Sequence, residues 1–209
     1  MMGLYPIKLA VTPEGWRLFS IRKVDLAFQA FKRQVLKRDR YVCQYCGFQA
    51  TKYQEVVNVD NNYHNNKISN LTTACCFCVQ CFFSEAVGKD DYGGGVLIYL
   101  PEISQNDLNG FCHILFCAIS NHTSFTADAQ DVYRSLKSRS TVVEEYLGEG
   151  MSDPSLFGRM LIGASEEDRK KIGGVVLPFL RLLPSYSKFS DQVKSWSEDA
   201  LDDVQKVDE

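Results

Sequence analysis

Two cysteine pairs constrain this chain more than any other feature. "YVCQYCG" sets Cys43 and Cys46 two residues apart, and 28 residues further on "NLTTACCFCVQC" sets Cys75 and Cys78 in the same relation. Two intervening residues allow a tight knuckle turn that aims both sulfurs at one ion about 2.3 Å away, and two knuckles complete a tetrahedron. Gly47, directly after Cys46, readily takes the positive φ that such a turn needs. The pattern therefore predicts one structural Zn2+ per chain, held by Cys43, Cys46, Cys75 and Cys78. The spacer exceeds that of a zinc ribbon, so a hairpin or loop must fit between the two halves.

The second cluster offers alternatives. Cys78 and Cys81 form a further C-x2-C pair, which makes Cys81 the runner-up ligand, while Cys76 lies between the first pair and should point away from it. Cys112 and Cys117 lie in the apolar run "FCHILFCAIS" and read as core, as free cysteine usually does. His113 in the same run reads as a structural histidine. A catalytic cysteine would need an orienting histidine, and His64, His113 and His122 fall in no catalytic motif.

With 209 residues, 45% of them hydrophobic, the chain can bury a sizeable core as one domain with appendages. A net charge of −3 argues against uniform coating of nucleic acid. The start, "MMGLYPIKLAVTPEG", has no long apolar leader, and the run "GGVVLPFLRLLPSY" is too broken by Pro178, Arg181 and Pro184 to span a bilayer. A cytoplasmic protein with reduced thiols is the expectation. Charge is unevenly placed. Ile21 to Arg40 carries seven basic and two acidic residues, net +5, and Ser190 to Glu209 carries two and seven, net −5. Two solvated faces explain this, or else a basic partner surface and an acidic tail.

The N-terminal stretch alternates and, with the turn "TPEG" and then "GWRLFS", predicts a short hairpin. Val24, Phe28, Phe31 and Val35 recur at helical spacing up to Asp39. "DDYGGGVLIYLPE" reads as a flexible glycine turn before an apolar strand, since it lacks the Lys-Ser/Thr of a phosphate-binding loop. Helices follow. Ser104 caps one carrying Leu108, Phe111/Cys112, Leu115 and Ile119; Val132, Leu136, Val143 and Leu147 stripe another; Asp153-Pro154 and Ser165 begin two more. The expected class is α+β and mostly helical: a zinc module at 41–83 and a helical part at 104–184 within one globular domain of residues 1–184, followed by an acidic helix or tail at 185–209.

The order "RDRYVCQYCG", "EVVNVD", a polar loop and "NLTTACCFC" resembles the frame of HNH endonucleases. That resemblance covers about Arg38 to Cys81 and implies a ββα fold around a structural zinc. Its Asn-Leu lead-in supports Cys75 and Cys78 as the second ligand pair. At the chemical positions the chain departs from it. Asn61 stands where the general base should be, and a carboxamide cannot take a proton near neutral pH. Val79 stands at the last catalytic position and cannot ligate a divalent metal. Asn70 alone remains, and His64 lies about 10 Å beyond Asn61 if the strand stays extended.

A longer ordered set, "GWRLFSIRKVD", "RDRYVCQYCGFQA", "NLTTACCFCVQCFF", "YGGGVLIYLPE", "YRSLKSRS", "VVEEYLGEG" and "SDPSLFG", resembles the IcmJ/DotN proteins of Dot/Icm type IV secretion systems in intracellular bacterial pathogens. This resemblance runs from about Trp16 to Gly158. It implies a non-enzymatic component of the coupling complex that docks on the C-terminal extension of the membrane-anchored coupling ATPase, peripheral to the inner membrane, and helps build a platform for effectors. The basic 21–40 segment and "VVLPFLRLLP" are candidate docking surfaces. Two alternatives stay open: an HNH-derived nuclease with a relocated base such as His64, and a nucleic-acid-binding zinc protein using Arg22, Lys23, Lys32, Arg33, Lys37, Arg38 and Arg40.

Overall fold

Proline and capping residues set where the helices begin. The computed structural model describes residues 4–89 and 91–207, with side chains through 199. Residues 4–12 form neither strand nor helix, and Pro13 opens helix α1 (Pro13–Arg22) at its first position, where its missing N–H costs nothing. The expected N-terminal hairpin is therefore absent. Trp16, Phe19 and Arg22 fall at i, i+3, i+6 and turn inward, a helical period that outweighs the apparent alternation. The N-terminal segment is held by Tyr5 N–H to Gln44 O (2.9 Å), Ala10 N–H to Cys81 O (2.9 Å) and Ser84 N–H to Ala10 O (3.1 Å).

A turn at residues 23–25 breaks the basic segment in two, and Asp25 caps α2 (Leu26–Arg38) by accepting from Ala27 N and Phe28 N. The face expected to be buried is only partly so. Phe28, Val35 and Leu36 pack inward, while Val24 is 81% and Phe31 45% exposed. Strands β1 (Gln54–Asn58) and β2 (Leu71–Cys75) form an antiparallel pair with Gln54 opposite Cys75, and the short helix α3 (Cys76–Val79) follows directly. Arg38 and Asp39 lock α2 to this pair. Arg38 donates to Ile68 O (2.9 Å) and Leu71 O (2.7 Å), and Asp39 accepts from Thr73 N (2.9 Å).

The second sheet joins distant parts of the chain. β3 (Gly95–Tyr99) pairs antiparallel with β4 (Leu180–Pro184), Gly95 opposite Pro184 and Tyr99 opposite Leu180. The 104–184 region thus ends in a strand. In "VVLPFLRLLP" Leu180, Leu182 and Leu183 are core, leaving Val175 and Phe179 exposed. Between the strands stand α4 (Gln105–Ser120), α5 (Thr126–Ser138), α6 (Ser140–Leu147), α7 (Pro154–Gly163) and α8 (Glu166–Val175). Ser104, Asp153 and Ser165 cap α4, α7 and α8. The stripe from Val132 to Leu147 spans two helices, α5 and α6, and Val143 is its buried member. Helix α9 (Ser190–Val207) packs back on α4.

One apolar cluster links Ile7, Phe19, Phe77, Phe83, Leu108, Phe116, Phe157, Leu182 and Trp196, so the cysteine region and the helices share a core. Among the described residues no helix is long and apolar enough to cross a membrane.

Candidate metal centre

Cys43 and Cys46 lie in a loop closed by Cys43 N–H to Phe48 O (2.8 Å) and Gly47 N–H to Cys43 O (3.0 Å), with Gly47 at φ +79°. Open space surrounds the Gly47 Cα, so the backbone angle alone calls for glycine here. Gln44 N–H to Thr73 O (2.9 Å) ties this knuckle to β2, which ends at Cys75; α3 then carries Cys78 one turn on. The four sulfurs of Cys43, Cys46, Cys75 and Cys78 all lie within 4.8 Å of one another, with Cys46 and Cys75 Sγ 3.6 Å apart. A tetrahedron with metal–sulfur bonds of about 2.3 Å has edges of about 3.8 Å, so the donor set fits one tetrahedral ion. Cys43, Cys75 and Cys78 are fully buried and Cys46 half-buried.

The remaining cysteines point elsewhere. Cys81 donates to Phe77 O (3.4 Å) within its own helical turn, and burial pushes its thiol up to about 12. Cys76 stands apart from the cluster, and burial likewise raises its thiol. Cys112 is core, and Cys117 accepts from Asn121 Nδ2 at 3.4 Å. Inside the cluster burial drives Cys75 and Cys78 well above the ordinary thiol value, whereas hydrogen bonds from Cys46, Cys75 and Cys78 overcome burial at Cys43 and hold it well below. Buried thiols this close ionise together only around a cation.

Helix α4 supplies groups that sequence reading did not place at the site. Asn109 Nδ2 donates to Cys78 Sγ (3.3 Å), and His113 Nε2 lies 3.3 Å from Cys75 Sγ. The His113 ring is stacked between Phe48 (centroids 3.6 Å) and Phe77 (4.2 Å), with Trp196 of α9 edge-on at 5.1 Å. Burial pushes the imidazole down to about 3, so it is neutral. The spacing of Asn109 and His113, i and i+4 on an apolar helix, was the available signal. Asn106, next to them, donates to Tyr5 O and Tyr45 O (both 2.6 Å) and accepts from Ile7 N (2.9 Å), fastening the N-terminal segment to the first knuckle.

The nuclease-like positions are engaged structurally. Asn61 sits at φ +57° in a turn after β1. Asn70 Nδ2 donates to Asp60 Oδ1 (2.8 Å), which also accepts from Asn62 N–H (2.9 Å), and Asn65 donates to Oδ2 (2.8 Å). These bonds outweigh desolvation and hold the Asp60 carboxyl below its ordinary value. His64 is exposed and pairs with Glu14 of α1 at 3.1 Å; Val79 is buried in the core.

Much of the basic segment is consumed internally. Arg22, 7% exposed, donates to Asn58 Oδ1 (2.7 Å) and Asn66 Oδ1 (3.0 Å) and lies over the rings of Phe28 (4.3 Å) and Tyr63 (4.9 Å). Lys32 pairs with Glu55 at 2.6 Å, and Arg38 with Asp39 at 2.7 Å.

The chain is 52% identical over 201 residues to the type 4 apparatus protein DotN of Legionella pneumophila, across 95% of this chain and 92% of that protein. The chain belongs to the DotN family. No protein-family profile matches it. Coverage of 201 residues, 95% of this chain, keeps the cysteine region and both sheets within the span shared with DotN.

Proposed function

We propose that this chain is a non-enzymatic, zinc-binding adaptor of a type IV secretion coupling complex. It docks on the C-terminal extension of the coupling ATPase, helps build the platform that receives effectors, and sits in the cytoplasm peripheral to the inner membrane through that partner. The observation that carries this reading is the 52% identity, over nearly the whole chain, to a protein named as a type 4 apparatus component. Zinc is the ion that best suits four soft thiolates in a tetrahedron. Cys43, Cys46, Cys75 and Cys78 would hold it with a closed shell, which gives a structural ion with no position for water or substrate. The β1–β2–α3 order around these thiols supports reading Arg38–Cys81 as an HNH-like frame. Its use as a scaffold is supported by Asn61 in place of a base, Val79 in the core and Asp60 occupied by three asparagines. Nucleic-acid binding is disfavoured because Arg22 is buried and Lys32 and Arg38 are engaged by Glu55 and Asp39 of the same chain.

The test is capture of the coupling ATPase's C-terminal segment by the purified chain, with zinc measured on the same sample. A stable complex with one zinc per chain is expected. Absence of binding removes the adaptor reading, and plasmid cleavage in Mg2+ or Ni2+ that His64→Ala abolishes would put a nuclease in its place.

A further inference from the structure

One face of α4 is polar where the rest of its buried surface is apolar. Gln105, Asn109 and His113 stand at i, i+4 and i+8, all buried, beside Leu108, Cys112 and Phe116. Polar groups are costly in such a place unless bonded, and the bonds they make run in one direction. Gln105 accepts Leu182 N–H on Oε1 (2.8 Å) and donates Nε2 to Leu182 O (2.9 Å) and Asn109 Oδ1 (2.9 Å). With its oxygen so occupied, Asn109 turns Nδ2 toward sulfur: Cys78 Sγ at 3.3 Å, Cys81 Sγ at 3.8 Å. Two turns along from Gln105, His113 Nε2 meets Cys75 Sγ at 3.3 Å, its ring fixed by Phe48 and Phe77.

A thiol is a weak acceptor, whereas a thiolate takes a charge-assisted bond. Four thiolates around a dication leave two negative charges in excess, in a site whose walls are apolar. We propose that Asn109 and His113 are positioning residues of the metal centre: each donates an N–H to one thiolate, holding its rotamer and offsetting charge that the ion leaves uncancelled, while Gln105 carries this seat through to the backbone of β4. The inference rests on the four-thiolate reading above. It makes the metal a fastening for α4 and the β3–β4 sheet as well as for the knuckles.

Asn109→Leu and His113→Phe remove the N–H while keeping a branched side chain and a flat ring, and Gln105→Leu cuts the link to β4. Each is made in the full chain, loaded with Zn2+ or with Co2+. Loss of an outer-shell partner of this kind weakens metal binding about 10–100-fold, so Asn109→Leu and His113→Phe should surrender zinc to a chromogenic chelator with an affinity lowered by that factor. Their thiolate-to-cobalt charge-transfer bands should move to lower energy, because a sulfur without its donor is richer in electrons; a role in packing alone leaves the bands in place. Folded Asn109→Leu and His113→Phe proteins with wild-type affinity and wild-type bands overturn the proposal. If Asn109→Leu does not fold, His113→Phe decides by the same two readouts. A wild-type chain that takes up neither zinc nor cobalt defeats the four-thiolate reading itself, which is a different result.

Discussion

Arg22 offers a quantitative test of how the basic segment is used. Replacing it by methionine keeps an unbranched stem and removes the guanidinium. Asn58 Oδ1, Asn66 Oδ1 and Val56 O then lose this donor, and the rings of Phe28 and Tyr63 lose the cation above them. Three hydrogen bonds to a charged group are worth about 4.5–9 kcal/mol together, and a desolvated cation–π contact adds about 2 kcal/mol. Against this stands the desolvation already suffered by the native cation, visible in a side chain pulled down to about 10, which methionine does not suffer. Leaving these buried neutral acceptors without their donor, less the desolvation relieved, costs on balance about 3–5 kcal/mol. For a chain of this length that corresponds to a melting point lower by roughly 6–20 °C. Urea and thermal unfolding of the metal-loaded protein, followed by circular dichroism, measure it. Arg33→Met, at an exposed position of α2, should stay within about 0.5 kcal/mol of wild type. If Arg22→Met costs less than about 1 kcal/mol, the residue behaves as a surface cation and the buried network has been misjudged.

Two further outcomes follow from other parts of the molecule. Cys43→Ser should lose the metal and, with it, the soluble fold, because zinc in such modules contributes on the order of 10–16 kcal/mol against domain stabilities of about 5–15 kcal/mol; a folded, zinc-free Cys43→Ser protein in metal analysis and circular dichroism would sink this. Glu85 is 3% exposed, accepts Thr12 N–H at 3.0 Å, and has its pKa raised by burial. A raised folded-state value means that its stabilising contribution is full below the unfolded pKa of about 4.3 and is lost as pH rises through the folded value. Glu85→Gln keeps an acceptor for Thr12 and should be more stable than wild type at pH 7, with a flatter stability profile from pH 4 to 7; a variant no more stable at neutral pH contradicts it.

What could be read from the sequence was what depends on neighbours along the chain. Ser104, Asp153 and Ser165 are caps because a side-chain oxygen meets an amide two or three residues on, and that geometry is local. The knuckle at Cys43–Gly47 is local for the same reason. β4 was not legible: "LRLLP" becomes a strand because β3 lies beside it, and that partner is far away in the chain. Residues 13–22 misled because Trp16, Leu18 and Phe19 fit a strand or a helix over so short a span, and Pro13 at the first helical position settles the matter only once the helix is seen. In the centre, the cysteine spacing pointed to the thiols, but Asn109 and His113 reach them only because α4 crosses the knuckles.

The pairing of β3 with β4 also sets a schedule for synthesis. All four clustered cysteines have been made by residue 78, before α4, which packs against them, has been synthesised. β3 follows soon after, but Tyr99 waits for Leu180, roughly 80 residues later, which at 5–20 residues per second is about 4–16 s. Through that interval Leu97 and Ile98, fully buried in the finished protein, stand on an open apolar edge, the kind of edge that pairs with other chains. The arrival of β4, in the last quarter of the sequence, is therefore what closes that edge.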